Sequence, residues 1–353
     1  MKVELLKIED LDAYKEYILK HERSSFFSSL AFGDFIRSIC PNVIPYYFVA
    51  KEQEKIVGIL PSFVKKGFLG PVLNSMPWFG SNPGVLADDD TIAIFLLQAF
   101  KQTAKWTGCY SSTFIAPPVD NEIYDVFFKP EQEDDVFSDM RIGLITPLPE
   151  FKEPEQFSSE LLKKVHQKTR NQIIKASKEC MVYESYGQED WDFLKTVHKD
   201  NIQAVGGVSK NKEFDIIQKT LRKKIDYKLY VAIADDDSAT RIGALFVEYF
   251  NKTVEYITPA VVSEYRHLCP MNLLIFSAMG DAAQKGMKWW NWGGTNIPQQ
   301  EGLYHFKKRF GAEESKYRYY TQIYGAPLLD ISKKQILEGY PFFYVLPFSL
   351  LGK

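Results

Sequence analysis

A chain of 353 residues, with 43 Lys and Arg against 45 Asp and Glu, is long enough for roughly two domains of about 150 residues each. Hydrophobic residues at 45%, charged residues at 25% and a formal charge of −2 exclude wholesale disorder, collagen, a coiled coil, an integral membrane bundle and a global pull on DNA. The unusual figure is the aromatic content, 26 Phe, 20 Tyr and 6 Trp, which suggests either a heavily packed core or an apolar-walled cleft.

In chain order, residues 2–8 alternate weakly and predict a strand. Leu11–Glu22 predicts a helix with Asp10 as its N-cap, and 32–39 a second helix. Residues 45–50 and 56–61 predict a β-hairpin through the charged turn 51–55. A Gly/Pro-rich stretch, 67–84, carries Met76-Pro77-Trp78-Phe79-Gly80. Then come an amphipathic helix over 91–108, a strand at 112–115, an acidic loop at 131–135 and a strand at 141–146. Three prolines mark 147–154 as a linker. The second half predicts helices over 157–180, 188–206 and 213–224, strands at 227–234, 241–249 and 253–260, a helix over 270–286 and a strand at 287–292. Each half thus reads as helices, an antiparallel hairpin, a helix and a strand. Gly58 and Gly243 hold matching places before the 91–108 and 270–286 helices. The expectation is two tandem copies of one α/β fold, 1–150 and 151–330, each a mixed sheet flanked by helices, followed by an apolar tail, 331–353.

Cys40, Cys109, Cys180 and Cys269 stand far apart and read as reduced thiols of a cytoplasmic protein. The five histidines show no ligand spacing, so no metal site is expected. The N-terminus has no signal-peptide core, and no run reaches the ~18 apolar residues of a spanning helix.

Chemistry concentrates in two segments. In 287–312, MKWWNWGGTNIPQQEGLYHFKKRFGA, a strand places Asn291 on one face and Trp290 and Trp292 on the other. Gly293 and Gly294 then allow a sharp turn or close approach to a ligand. Asn291, Thr295 and Asn296 cluster at the strand's C-terminal end, where α/β sheets usually bind ligands. Leu303, Phe306 and Phe310 follow at helical spacing as a core stripe, with Tyr304 and Lys307 aimed elsewhere. The second segment, 160–180, holds six Lys and Arg spread round one helix. Either the helix is a solvated basic face, or one or two of its cations hold phosphate, with Arg170 the first choice because a guanidinium captures phosphate bidentately.

In these segments the chain resembles the FemABX-like branch of the GNAT acyltransferase superfamily. The resemblance rests on KTRNQIIKA at 168–176, the 255–274 run with Tyr256, Arg266 and Leu273-Leu274, the strand ending WNWGGT, and FKKRFGA at 306–312. The first half contributes Phe27–Phe35, the strand end Gly58-Ile59-Leu60-Pro61, and Trp78–Gly80 where such proteins carry a glycine-containing loop. It spans roughly residues 25–322 and lies in order and spacing. It implies two GNAT-like domains facing each other across a cleft, and transfer of an acyl or aminoacyl group to an amine. In the peptidoglycan members the donor is aminoacyl-tRNA and the acceptor a nucleotide- or lipid-linked peptide. Their Lys and Arg positions, here Lys307 and Arg170, bind acceptor phosphate or assist transfer.

The donor can be read in part. Binding of coenzyme A needs successive backbone N–H groups at a helix N-terminus, usually from a glycine-rich loop. The two places where one would stand read Tyr265-Arg266-His267-Leu268-Cys269-Pro270-Met271 and Leu86-Ala87-Asp88-Asp89-Asp90. The first lacks glycine and loses a donor at Pro270, and the acids of the second repel phosphate. No bound cofactor is expected. Classical binding of coenzyme A is disfavoured in both halves, and the donor is left open between aminoacyl-tRNA and acyl-CoA. Direct transfer without a covalent intermediate is expected, with Lys307, Asn291, Thr295 and Tyr304 as catalytic candidates. Arg170, Asn171, Trp78, Tyr256, Arg266, Trp292, Gly293 and Gly294 are the substrate-binding candidates. The segment 340–352, YPFFYVLPFSLLG, reads as an arm packed on the body or as a peripheral contact at the inner face of the membrane. The leading function is transfer to an amine of a cell-envelope precursor. The alternatives are an acyl-CoA-dependent N-acyltransferase acting on an amino sugar in polysaccharide biosynthesis, and a non-catalytic two-domain binding module.

Overall fold

The computed structural model describes residues 1–22, 24–78, 84–117, 122–129, 135–205, 215–216, 226–236, 238–295, 300–325 and 331–351. Gly80, Asn296 and most of both the predicted helix 213–224 and the acidic loop 131–135 lie outside them. The first half of the chain forms β1 (Lys2–Leu5), α1 (Leu11–Lys20), α2 (Leu30–Ile39), β2 (Val43–Glu52), β3 (Lys55–Gly67), β4 (Gly70–Asn74), β5 (Leu86–Ala87), α3 (Asp90–Trp106), β6 (Ser111–Ile115), α4 (Glu122–Phe127) and β7 (Val136–Pro147). The second forms α5 (Pro154–Lys164), α6 (Gln167–Glu179), β8 (Cys180–Ser185), α7 (Gln188–Ala204), β9 (Asp226–Ala234), β10 (Arg241–Phe250), β11 (Thr253–Val261), α8 (Pro270–Gln284), β12 (Trp289–Thr295), α9 (Glu301–Lys308), β13 (Glu313–Ile323) and α10 (Lys333–Gly339).

The chain divides into two units: Met1–Gly143 with Gly293–Thr295 and Ser315–Lys353, and Leu144–Trp292 with Asn296–Glu314. The boundary read at 150/151 therefore lies at 143/144. Residues 315–353, assigned from sequence to the second domain and a separate tail, belong to the first unit.

In unit 1 the strand order is β1-β2-β3-β4-β6-β13-β7, with β5 on β3. The first four strands pair antiparallel, and β4 pairs parallel with β6 after the α3 crossover. Gly58 is the contact point for that crossover: a Cβ there would lie 2.6 Å from Ile92 and 3.0 Å from Leu96 of α3. Leu96, Leu97 and Phe100 pack with Leu60, Leu73 and Phe114 as the core on this face. Asp89 caps α3, its carboxylate accepting from Ile92 N at 2.8 Å. Asp10 precedes α1 but does not cap it through its side chain; its carboxylate instead pairs with the buried Lys51 at 2.7 Å, an ion pair that outcompetes an exposed cap.

The terminal segment is a packed part of unit 1. Tyr340, Phe343 and Val345 are buried, and the Phe348 ring lies 3.8 Å from the Arg141 guanidinium. Its main chain is held by side chains: Asn74 donates to Tyr344 O at 2.9 Å and accepts from Tyr344 N at 2.6 Å, and Ser111 donates to Val345 O at 2.7 Å. These bonds agree with the first of the two readings of 340–352, an arm packed on the body. No helix among the described residues is long and apolar enough to cross one.

Unit 2 repeats the pattern. Its order is β12-β11-β10-β9-β8, antiparallel from β8 to β11, with β11 parallel to β12 after the α8 crossover. Gly243 sits under α8 as Gly58 sits under α3, with a Cβ there 3.3 Å from Leu274. The internal duplication therefore extends to strand order, crossover and glycine. The long helix read over 157–180 is two helices: Val165 turns extended (ψ 136°) and the His166 ring accepts from Lys168 N at 3.2 Å to start the second.

Candidate functional site

The site builds on the end of β12 in unit 2. Phe306 and Phe310 press on the Trp292 ring, with centroids 6.3 and 5.4 Å away. Trp292 Nε1 donates to Thr146 Oγ1 at 2.9 Å. This anchoring fixes α9 and turns Lys307 inward. Leu303, read as part of the core stripe, is 41% exposed, whereas Lys307 is 3% exposed. Lys307 Nζ donates to Trp292 O at 2.9 Å. Burial pushes its ammonium down to about 8, because the interior penalises the charged form. A lysine poised near neutrality at the C-terminal end of a sheet strand suits stabilisation of a developing oxyanion.

The same strands carry a second polar group on their other face. Glu248 of β10 pairs in register with Glu255 of β11, and Glu255 with Asn291 of β12. Asn291 Nδ2 donates to Glu255 Oε2 at 2.7 Å. Glu248 is 1% exposed and Glu255 2%. Neither Glu248 oxygen has a hydrogen-bond partner, nor does Glu255 Oε1. Burial pushes the Glu255 carboxyl up to about 8. Burial, and then the Glu255 charge, pushes Glu248 well above the usual carboxylate range. Both glutamates escaped the sequence reading. Their signal was a charge inside the apolar runs RIGALFVEYF and TVEYITPAV.

Of the candidates, Tyr256 and Trp292 meet, with rings 5.0 Å apart, on the aromatic face of β12. Arg170 stays partly buried on α6. One Nη donates to Val165 O at 3.3 Å, and its Nε has no partner. The start of α6 is tied to the end of α9, with His166 N donating to Arg309 O at 2.8 Å. Asn171 lies apart in an open groove of about 470 Å³ with His166, Lys168 and Lys175. Arg266 lines another, of about 330 Å³, with His198, Asn201, Pro259 and Asn272. The Tyr304 hydroxyl donates to Glu314 rather than joining Lys307. Gly293 takes φ +72°, a conformation glycine adopts at no steric cost. Gly294 follows it, Thr295 is buried, and all three cluster with unit 1. Trp78 is a core residue of unit 1, packed edge-on to Phe35 at 5.0 Å, and not part of an exposed aromatic wall.

Neither helix start resembles a pyrophosphate cradle. In unit 2, Ser263–Leu268 is a 3-10 turn, Cys269 is left-handed and Pro270 opens α8. In unit 1 the Asp89 carboxylate already occupies the N-terminus of α3. Among the described residues no group of three or more His, Cys, Asp and Glu could hold a metal ion.

Residues 187–318, which include Glu248, Glu255, Asn291 and Lys307, match the model of the FemAB family. No curated protein matches the chain. Among solved structures, FemX is 15% identical with a TM-score of 0.71, covering 90% of this chain and 97% of its own. The C-terminal domain of a putative lysylphosphatidylglycerol synthetase from Agrobacterium fabrum is 11% identical, TM-score 0.54, covering 89% and 92%. A tandem GNAT protein from the clavulanic acid biosynthesis pathway is 9% identical, TM-score 0.52, covering 92% and 99%. Residues 187–318 are therefore similar to the FemAB family, and the chain as a whole has the duplicated fold that FemX and a tandem GNAT protein share.

Proposed function

We propose that this protein transfers an aminoacyl or acyl group directly to an amine of a cell-envelope precursor, on the cytoplasmic side. The observation that carries the reading is the buried Lys307, held at the end of β12 within the stretch that matches the FemAB family. In the reaction the amine nitrogen attacks the donor's ester carbonyl. A C–N bond forms, the C–O bond to the leaving hydroxyl breaks, and the proton lost by nitrogen ends on that oxygen. The Lys307 ammonium stabilises the oxyanion formed between these events, and an activated ester leaves much of the remaining rate to positioning.

The donor we favour is an aminoacyl ester such as aminoacyl-tRNA. Two features support it over acyl-CoA: the proline-opened α8 and the self-capped α3. The basic run of α5 and α6, with Lys163, Lys164, Lys168, Arg170, Lys175 and Lys178, supplies cations for a phosphate backbone. FemX and the lysylphosphatidylglycerol synthetase domain share the fold and agree in kind with this choice. Incubating the full chain with radiolabelled aminoacyl-tRNAs and, separately, acetyl-CoA, each with nucleotide-linked peptides and amino sugars, tests it. Label moving from tRNA to a peptide or sugar amine is expected. Transfer from acetyl-CoA to an amino sugar would instead establish the N-acyltransferase of polysaccharide biosynthesis, and absence of any transfer would favour a binding module.

A further inference from the structure

The two units place a polar row at one register position. In each, the last register pair of the parallel ladder joins an antiparallel partner: Phe63–Asn74–Thr113 in unit 1 and Glu248–Glu255–Asn291 in unit 2. In unit 1 the row clasps a peptide group of the chain itself. Asn74 makes two bonds to the Tyr344 main chain, and Thr113 Oγ1 donates to Tyr344 O at 3.3 Å. In unit 2 the row ends in three buried carboxylate oxygens without a partner.

We propose that Glu248, Glu255 and Asn291 form a seat for the primary ammonium group of a substrate. Carboxylates only accept hydrogen bonds, so the occupant must bring N–H donors and positive charge. The two glutamates are direct cross-strand neighbours, a spacing of about 5 Å between Cβ atoms that lets both reach one small group. Asn291 fixes one Glu255 oxygen and leaves the other without a partner. Three acceptors, Glu248 Oε1 and Oε2 and Glu255 Oε1, match the three donors of an ammonium. Magnesium or calcium takes at least about six oxygen ligands, more than this row offers. Two buried carboxylate charges side by side are costly, so the empty pair stays neutral by holding protons; a cation between them offsets that cost and replaces those protons. Assigning the ammonium to the acceptor amine rests on the transferase reading; the binding itself does not.

Thermal unfolding of the full chain in methylammonium chloride tests the seat. Tetramethylammonium chloride, which has no N–H donor, sodium chloride and calcium chloride serve as comparisons at equal ionic strength. Methylammonium is expected to raise the unfolding temperature by a few degrees over the sodium and tetramethylammonium salts. The rise should vanish in Glu248→Gln/Glu255→Gln, which keeps the volume and removes the charge. If the double variant does not fold, Glu248→Gln alone should lose most of the rise. No rise in the wild type, an equal rise with tetramethylammonium, a larger one with calcium, or a rise retained by the folded variants would overturn the proposal. Because nothing is transferred in this experiment, its failure leaves the transferase reading standing, and failure of transfer leaves the seat intact.

Discussion

Unit 1 and unit 2 share a strand order, a crossover and a glycine under the crossover helix, yet their interiors differ. In unit 1 the buried charge of Lys51 is balanced by Glu4 at 3.0 Å and Asp10 at 2.7 Å. Its α3 is capped by its own Asp89, and its polar row is closed by the chain's own tail. In unit 2 three buried ionisable groups are desolvated: Lys307 is pushed down, and Glu248 and Glu255 up. Groups at functional sites are often held in such states. The comparison teaches that two equivalent scaffolds can treat buried ionisable groups differently, one pairing them and closing its polar row with the chain's own tail, the other leaving three of them desolvated.

The largest expected effect breaks the closed copy. Ending the chain after Gly339 removes the buried Tyr340, Phe343 and Val345, which at about 1.5–3 kcal/mol for each large apolar side chain costs on the order of 5 kcal/mol. Circular dichroism melting should show an early transition. Next comes the poised copy. Lys307→Met should lower transfer by about 100-fold or more, the size found when an oxyanion stabiliser is removed, while calorimetry shows an unchanged or slightly raised Tm, because a buried charge has been replaced by an apolar group.

The third prediction uses pH. The Glu255 carboxyl keeps its proton in the folded chain up to about pH 8, but releases it near its ordinary value of 4.5 when unfolded. Between those values the unfolded chain binds fewer protons, so stability falls as pH rises. Glu255→Gln removes that loss. Its advantage over the wild type should grow by about 1.4 kcal/mol per pH unit toward pH 8, read from urea unfolding at several pH values. A constant difference would show that the carboxyl is not held neutral. The smallest effect is Asp89→Ala, which uncaps α3 at a cost of about 1 kcal/mol without creating a site for acyl-CoA; new binding of acetyl-CoA by calorimetry would contradict the account of unit 1.

The sequence reading reached the duplication because hairpins such as 227–249 alternate and turn on Asp-rich loops, and because Gly58 and Gly243 punctuate matching places. It missed β4, β8 and β13 for separate reasons. β4 is five residues between Gly70 and Asn74. β8 leaves α6 with no loop between them. β13 opens on the charged run Glu313-Glu314-Ser315-Lys316, which does not read as a buried strand. Neither local pattern nor composition shows that 315–323 completes the first unit, because that is a long-range pairing with β6. Lys307 drew notice from its place after a glycine turn, but its burial follows from the packing of α9 on Trp292, which sequence does not show. Trp78 is buried in unit 1, and an aromatic beside glycines looks the same in sequence whether it lines a wall or fills a core. Glu248 and Glu255 were passed over because only register shows that two single acids, seven residues apart, face each other.

The most direct measurement of the account is single-turnover transfer from labelled aminoacyl-tRNA by the wild type and by folded Lys307→Met, side by side. The account predicts transfer by the wild type and a drop of about two orders of magnitude in the variant with the melting temperature kept. Equal transfer by the two proteins would contradict it.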